Sequence, residues 1–175
     1  MKLELKKVKY AEHASQETSN FVAELYVDGK PFAIVGNDGI GGCDYHYRHE
    51  KYPSDHNDWH KELENLFKWH KENTTYETEY DPRGYSEGSL DITVGELLDD
   101  YLTTKRVKNL MSRSMIVFKK DDPKGGYYKY GKKKYNITRD RMGWFNNQMW
   151  QQFKDNWVCL NHMPLDEAVA YYKAN

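Results

Sequence analysis

The stretch whose composition best suits binding chemistry is residues 35–47, VGNDGIGGCDYHY. Glycine allows positive φ, and consecutive backbone amides in such turns can cradle an anion. Backbone and polar contacts to a ligand are expected from Asn37, Asp38, Gly39, Gly41, Gly42 and Asp44. The aromatic side chains of Tyr45, His46 and Tyr47 are expected to line the sides of the site. The spacing matches neither the phosphate loop nor the dinucleotide fingerprint. That mismatch favours the other interpretation, in which a turn needs glycine only for its backbone conformation.

A second group of chemically active residues lies between positions 43 and 60. Cysteine and imidazole are zinc ligands, and two histidines one helical turn apart can bind one metal ion. The candidate ligands are Cys43, His46, His56 and His60, with His49 among them in the sequence. Their spacing is not that of structural zinc sites. A metal-dependent hydrolase around residues 43–60 is therefore kept as an alternative, and a solvated, tyrosine-flanked loop is favoured over it.

Residues 119–135 carry seven lysines and four tyrosines. Lysines beside stackable rings can follow a nucleic-acid backbone, so the segment predicts an alternative function in nucleic-acid binding. Its candidate residues are Lys119, Lys120, Lys124, Tyr128, Lys129, Lys132, Lys133 and Lys134. The competing interpretation is an exposed hairpin whose lysines discourage edge pairing. The acidic, tyrosine-rich region 72–100 offsets this charge, and it can equally mimic nucleic acid towards a basic partner.

No residue is predicted to be catalytic. The sequence contains no serine or cysteine nucleophile in a strand–turn–helix context. Cys43 with a histidine, or Asp38 and Asp44 with His46, can in principle support nucleophilic or acid–base chemistry. Any polar loop offers such combinations, so the sequence favours a protein that is not an enzyme and predicts no cofactor.

The elements that position the glycine-rich stretch are predicted to be strands. Residues 3–10 alternate apolar and charged side chains, as a half-buried strand does. Residues 11–20 are small and polar, which indicates a loop. The segment 21–27 predicts a second strand, and Asp28-Gly29 is a strong hairpin signal. Residues 30–35 return as the third strand, so a β-meander precedes the glycine-rich loop.

From Asp58 the apolar period changes from two to 3.6, which predicts a helix with a stripe formed by Trp59, Leu63, Leu66, Phe67 and His70. Residues 73–90 show no periodicity and are expected to form a long loop. Thr93 and Glu96 have the spacing of a capping box at the start of the next helix. That helix either breaks near Lys105 or is covered on both sides.

The C-terminal part predicts a strand over 114–119, a turn over 122–126 and a returning strand over 127–130. A helix is expected over 138–153, a short strand over 157–160 and a last helix after Pro164. The resulting order favours an α+β fold, with an antiparallel sheet (an N-terminal β-meander plus a later hairpin) and three to four helices. Residues 1–175 are expected to form a single domain.

The composition predicts a compact globular protein. The chain has 175 residues, a net charge of −1 and 15% aromatic residues, unlike disordered segments. Its two cysteines do not form a disulfide framework, so a cytoplasmic location is expected. No apolar run approaches the length of a membrane span, so no membrane interaction is expected. The sequence does not specify the oligomeric state.

Several short motifs carry a resemblance. They are SQET at 15–18, LYVDGK at 25–30, NDG at 37–39 and GGC at 41–43, with weaker likeness at GEL 95–97, LN 160–161 and PL 164–165. The chain resembles a family of uncharacterised proteins from bacteria and their phages. That family has no assigned reaction, so the resemblance transfers no catalytic residue. It implies a small accessory protein of a mobile element, a kind of protein that often inhibits or sequesters a host component.

The sequence thus predicts a non-catalytic binding protein of a phage or mobile element, located in the host cytoplasm if it is phage-encoded. It is expected to act on a host protein or a small phosphorylated ligand through the glycine-rich loop, residues 36–47. Nucleic-acid binding through 119–135 and metal-dependent hydrolysis around 43–60 remain the alternatives.

Overall fold

The computed structural model describes residues 1–53, 55–73, 75–78, 81–87, 90–122, 125–130 and 155–175. Only the backbone is described for 75–78, 81–87, His56 and Tyr130. The chain groups into two compact units, Met1–Asp99 and Asp100–Asn175, so the single domain stays a prediction. Within the described ranges, no helix is long and apolar enough to cross a membrane.

The first unit contains an antiparallel sheet in the order β1-β2-β3-β4. Its strands are β1 (Leu3–Tyr10), β2 (Phe21–Val27), β3 (Lys30–Asn37) and β4 (Tyr45–Arg48). The hairpin signal is confirmed, since Asp28 and Gly29 have φ values of 48° and 78°. A register shift between Lys6 and Lys9 interrupts β1. This bulge explains why the apolar alternation slips between Leu5 and Val8.

The strand β4 corrects the expectation that residues 36–47 form one loop. Gly36 pairs with Tyr45 and Ile34 with Tyr47, so β3 extends to Asn37 and the connecting loop is only 38–44. The sequence signal is weak because β4 has four residues and places polar His46 and Arg48 on the same sheet face as buried Val35 and Ala33. Tyr45 and Tyr47 point to the other face.

Two helices belong wholly or partly to the first unit. α1 (His56–Asn73) confirms the predicted helix and buries Trp59, Leu66 and His70 of the predicted stripe, whereas Phe67 is 38% exposed. The Trp59 indole donates a hydrogen bond of 3.0 Å to the Phe32 carbonyl and so ties α1 to β3. α2 (Leu90–Arg113) begins before Thr93 and continues past Lys105.

Two predictions in this region are wrong. The capping box is not present as such, because Thr93 and Glu96 lie inside α2 and buried Leu90 extends the apolar stripe towards the N-terminus. The expected loop over 73–90 contains β5 (Thr75–Thr78) and β6 (Asp81–Glu87), which pair antiparallel. Threonine and tyrosine favour strands without apolar alternation, so the periodicity search did not detect this pair.

The second unit has a three-stranded antiparallel sheet in the order β8-β7-β9. The strands are β7 (Met115–Lys119), β8 (Tyr128–Tyr130) and β9 (Trp157–Cys159), and α3 (Leu165–Ala174) follows a 3₁₀ turn. The predicted hairpin, the later strand and the last helix are confirmed. One buried cluster of this unit consists of Val107, Ile116, Phe118, Leu160 and Ala168, and a second one consists of Met115, Val117 and Cys159. The helix expected over 138–153 lies outside the described residues. The α+β fold class is confirmed.

Candidate functional site

The buried side chain of Asn37 organises the glycine-rich loop. Its Oδ1 accepts hydrogen bonds from the Thr18 hydroxyl (2.5 Å) and the Gly39 amide (2.9 Å). Its Nδ2 donates to the Gly42 carbonyl (3.2 Å) and to Asp44 Oδ1 (2.9 Å). One carboxamide therefore makes hydrogen bonds to residues at both ends of the loop. This explains why an asparagine, which carries both a donor and an acceptor, lies at the end of β3.

The loop is also anchored to the segment 15–20. The Gly39 carbonyl accepts hydrogen bonds from the amides of Gln16 (2.8 Å) and Glu17 (3.1 Å), and the Thr18 amide lies at 3.5 Å. The Gly41 amide donates to the Thr18 hydroxyl at 3.3 Å. The row of amides suited to an anion is thus at 16–18, and the chain's own carbonyl occupies it. The amides of Gly39 and Gly41 bond within the protein as well.

These bonds weigh against a phosphate cradle. Gly39 and Gly41 have φ values of 81° and 97°, so glycine is needed for the backbone path. At Gly39, a Cβ would lie 2.4 Å from the Ala14 carbonyl oxygen, which also requires glycine. The turn interpretation therefore accounts for these two glycines, and binding of a phosphorylated ligand stays a prediction.

The exposed side of the loop is different in character. Ile40 is 66% exposed and Tyr47 is 63% exposed. The rings of Tyr45 and Tyr47 lie 5.2 Å apart, and Tyr45 covers Gly36, where any Cβ would collide with its hydroxyl. We call the residues Asp38, Ile40, Tyr45 and Tyr47 the loop surface. It combines an aromatic pair with an exposed aliphatic side chain.

The loop surface lies in an acidic part of the chain. Between Lys9 and Arg48, the only lysine or arginine is Lys30, at the far end of the β2–β3 hairpin. Of the acidic residues in this span, Asp28 lies beside Lys30 at that far end and Glu24 pairs with Lys7, so the remaining ones are Glu12, Glu17, Asp38 and Asp44. Burial raises the pKa of the Tyr45 hydroxyl, and the nearby Asp38, Tyr47 and Asp44 add to the rise. The carboxylates at this end of the sheet therefore give the surroundings of the loop surface a negative charge.

Behind the loop surface, three titratable groups meet in what we call the His46 cluster: Asp44, His46 and Asp91. The His46 side chain is only 6% exposed, and its Nε2 lies 3.7 Å from Asp91 Oδ1. The Phe67 ring packs edge-on against His46, with centroids 5.4 Å apart. Burial lowers the pKa of His46, whereas Asp91 and Asp44 raise it. Burial raises the pKa of Asp44, opposed by the Asn37 amide.

The predicted metal ligands do not converge in the part of the chain that is described. Cys43 is exposed, His46 faces Asp91, and the His60 ring packs on Trp59 at 4.9 Å. The side chain of His56 lies outside the described residues. Among those that are described, no group of three or more His, Cys, Asp or Glu side chains is placed to hold a metal ion.

The predicted nucleic-acid residues fall on both faces of the second sheet. Tyr128 pairs with Val117 and shares its face with Lys119, whereas Lys129 pairs with Ile116 on the opposite face. The Lys120 ammonium donates to the Asp155 carbonyl at 3.1 Å. Lys124, Lys132, Lys133 and Lys134 lie outside the described residues. Nucleic-acid binding stays a prediction, and the described lysines do not form one continuous track.

The sequence did not predict that three residues, Glu17, Thr18 and Asp91, contribute to the site region. Thr18 and Glu17 come from the segment that anchors the loop, and no periodicity could have placed them there. Asp91 could have been found from the spacing of Leu90, Val94 and Leu98, which extends the stripe of α2 back past Thr93. That extension would have put Asp91 in the first helical turn.

The first unit also has an open groove of about 600 Å³, near the β2–β3 turn and α1. Val27, Pro31, Phe32, Leu66 and Trp69 supply most of its apolar lining. Its place beside the β2–β3 turn separates it from the glycine-rich loop, which follows the other end of β3.

The chain matches no protein-family model, no curated protein and no solved structure.

Proposed function

We propose that this chain is a non-catalytic binding protein that inhibits or sequesters a host protein through the loop surface. The observation that carries the proposal is the contrast between the two sides of the loop. Its polar interior is closed by Asn37 and the segment 15–20, while Ile40 and Tyr47 stay exposed. Exposed aromatic and aliphatic side chains on a rigid support are typical of the anchors at protein interfaces.

The charge around the loop indicates the partner's character. Asp38 and Asp44 lie in the loop, and Glu17 lies beside it. A Cβ atom added to Gly41 would lie 2.6 Å from Glu17 Oε2, so this carboxylate is close to the loop backbone. These carboxylates would repel a phosphorylated ligand and attract lysines or arginines. We therefore favour a host protein with a basic surface over a small phosphorylated ligand. The origin in a phage or mobile element rests on the sequence resemblance alone.

The test compares proteins retained from a bacterial lysate by three tagged chains. They are the native sequence, the loop variant Ile40→Asp/Tyr47→Ala and the matched control Ile92→Asp/Tyr128→Ala. The control makes the same two changes at exposed positions of α2 and β8. We expect the native chain and the control to retain a common protein that the loop variant loses by at least about tenfold, with retention weakening as salt rises.

Two results would count against the proposal. One is a set of retained proteins that is identical for all three chains. The other is a small phosphorylated molecule found by native mass spectrometry of the freshly purified protein and lost from the loop variant. Melting temperatures of the three chains should agree within a few degrees, so that a folding defect is not mistaken for lost binding.

A further inference from the structure

His46 and Asp91 form a buried pair that is not a hydrogen bond. The two facing atoms, His46 Nε2 and Asp91 Oδ1, are buried and have no hydrogen-bond partner among the described residues. Their separation of 3.7 Å exceeds the 2.7–3.2 Å of a normal N–H···O bond. A buried polar atom without a partner is unfavourable, so both atoms are stabilised if the gap closes.

Protonation supplies a reason for the gap to close. A neutral imidazole attracts the carboxylate weakly, whereas an imidazolium forms a charge-assisted hydrogen bond with it, which is shorter and stronger. Although Asp44 lies in the same cluster, no three His, Cys, Asp or Glu side chains among those described are placed to hold a metal ion, so we consider the proton as the cation for this pair. The pair joins the start of β4 to the first turn of α2.

The groups facing His46 come from three elements. The loop before β4 contributes Asp44, α2 contributes Asp91, and α1 contributes the uncharged Phe67 ring. On β3, the residue paired with His46 is the apolar Val35. His70 of α1 lies near Thr93, with its Nδ1 3.4 Å from the Thr93 hydroxyl. The charged neighbours that act on His46 are therefore two carboxylates, and both favour its protonated form.

We propose that the His46–Asp91 pair is a proton-operated latch that regulates the loop surface. When His46 binds a proton, it draws the start of β4 towards α2, and Tyr45 and Tyr47 on the same strand shift with it. The proton also reduces the negative charge behind the loop, which weakens attraction for a basic partner. Binding is therefore strongest when His46 is neutral. This regulatory role rests on the function proposed above.

The test is an NMR titration of the full chain, following the His46 imidazole and the amides of Gly39, Gly41 and Gly42. His46→Gln assigns the imidazole signal and removes the proton site while keeping a polar side chain. We expect the loop amides to shift with the same midpoint as His46, and this transition to vanish in His46→Gln. Asp91→Asn should lower the pKa of His46, because it removes a neighbouring negative charge.

The control His60→Gln changes an exposed histidine of α1 and should leave the loop transition intact. Loop amides that do not follow His46 in the native chain would overturn the latch, and so would an unchanged pKa of His46 in Asp91→Asn. If His46→Gln misfolds, the imidazole signal of His46 is assigned in the native chain by its correlation with the assigned backbone, so the proposal stays testable. It also needs no partner. Failure of the lysate experiment and failure of the latch are therefore separate results.

Discussion

Asn37 shows how one buried side chain can organise a loop without belonging to its exposed surface. Its carboxamide bonds to Thr18, Gly39, Gly42 and Asp44, and it is buried. The sequence predicts a special loop over residues 36–47 from its glycine content, and the structure narrows the connection between β3 and β4 to 38–44. The sequence cannot indicate which amides are already used, since their acceptors lie in the separate segment 15–20.

Two glycines of this loop allow a matched comparison. Gly39→Ala and Gly42→Ala both place alanine at positive φ, 81° and 90°, at a cost of about 1–2 kcal/mol each. A Cβ at Gly39 would also press on the Ala14 carbonyl, whereas a Cβ at Gly42 meets nothing within 4 Å. We expect Gly39→Ala to destabilise by about 1–3 kcal/mol more, measured by urea denaturation. Equal losses would show that the contact with Ala14 is not rigid.

Among the elements, α2 departs most clearly from its sequence prediction. The Thr93–Glu96 spacing matched a capping box, yet the helix begins at Leu90 because burial of Leu90, Val94 and Leu98 on one stripe outweighs the local signal. This earlier start places Asp91 beside His46. A local pattern at a helix end was overruled by packing.

The packing of Leu90 at the helix start can be tested with neighbouring residues. Leu90 is fully buried and Ile92 is 43% exposed. Leu90→Ala should destabilise the protein by about 2–5 kcal/mol, because it opens a cavity. Ile92→Ala should change the unfolding free energy by about 0.5 kcal/mol or less. Thermal and chemical denaturation measure both, and a small effect of Leu90→Ala would contradict the packing of Leu90 in the core stripe of α2.

At the scale of the whole molecule, three of the described histidines have lowered pKa values that affect its response to pH. Burial lowers the pKa of His46, His70 and His162. The unfolded chain therefore binds more protons than the folded chain just below the ordinary histidine pKa of about 6.5. The contribution of these histidines to stability is fully present above about pH 6.5. It is lost as the pH falls towards their lowered pKa values in the folded chain. Asp44 acts in the opposite direction, since its pKa is raised.

We expect the unfolding free energy to be lower at pH 6 than at pH 7.5, because the histidines of the unfolded chain, with an ordinary pKa of about 6.5, bind protons over this range. Urea denaturation at the two pH values measures this difference. His46→Gln should reduce the difference by removing one of the three proton sites. A free energy that rises on acidification would mean that Asp44 dominates.

The sequence by itself determined the elements whose signals come from neighbouring residues. Turn chemistry at Asp28-Gly29 and the periodicity of α1 and α3 are local, so strand, turn and helix could be recognised without the fold. The α+β class followed from their order. β4 and the β5–β6 pair were missed because their pairing is not encoded in an apolar alternation of their own.

Only the tertiary structure decided which groups of the glycine-rich loop are hydrogen-bonded within the protein and which are exposed. It placed the Gly39 carbonyl against the amides of 16–18 and Asp91 against His46. These contacts join residues that are distant in the sequence, and their partners are chosen by packing of the sheet against the helices. For that reason, composition could identify the loop as exceptional, and only the fold distinguished its closed polar interior from its exposed surface.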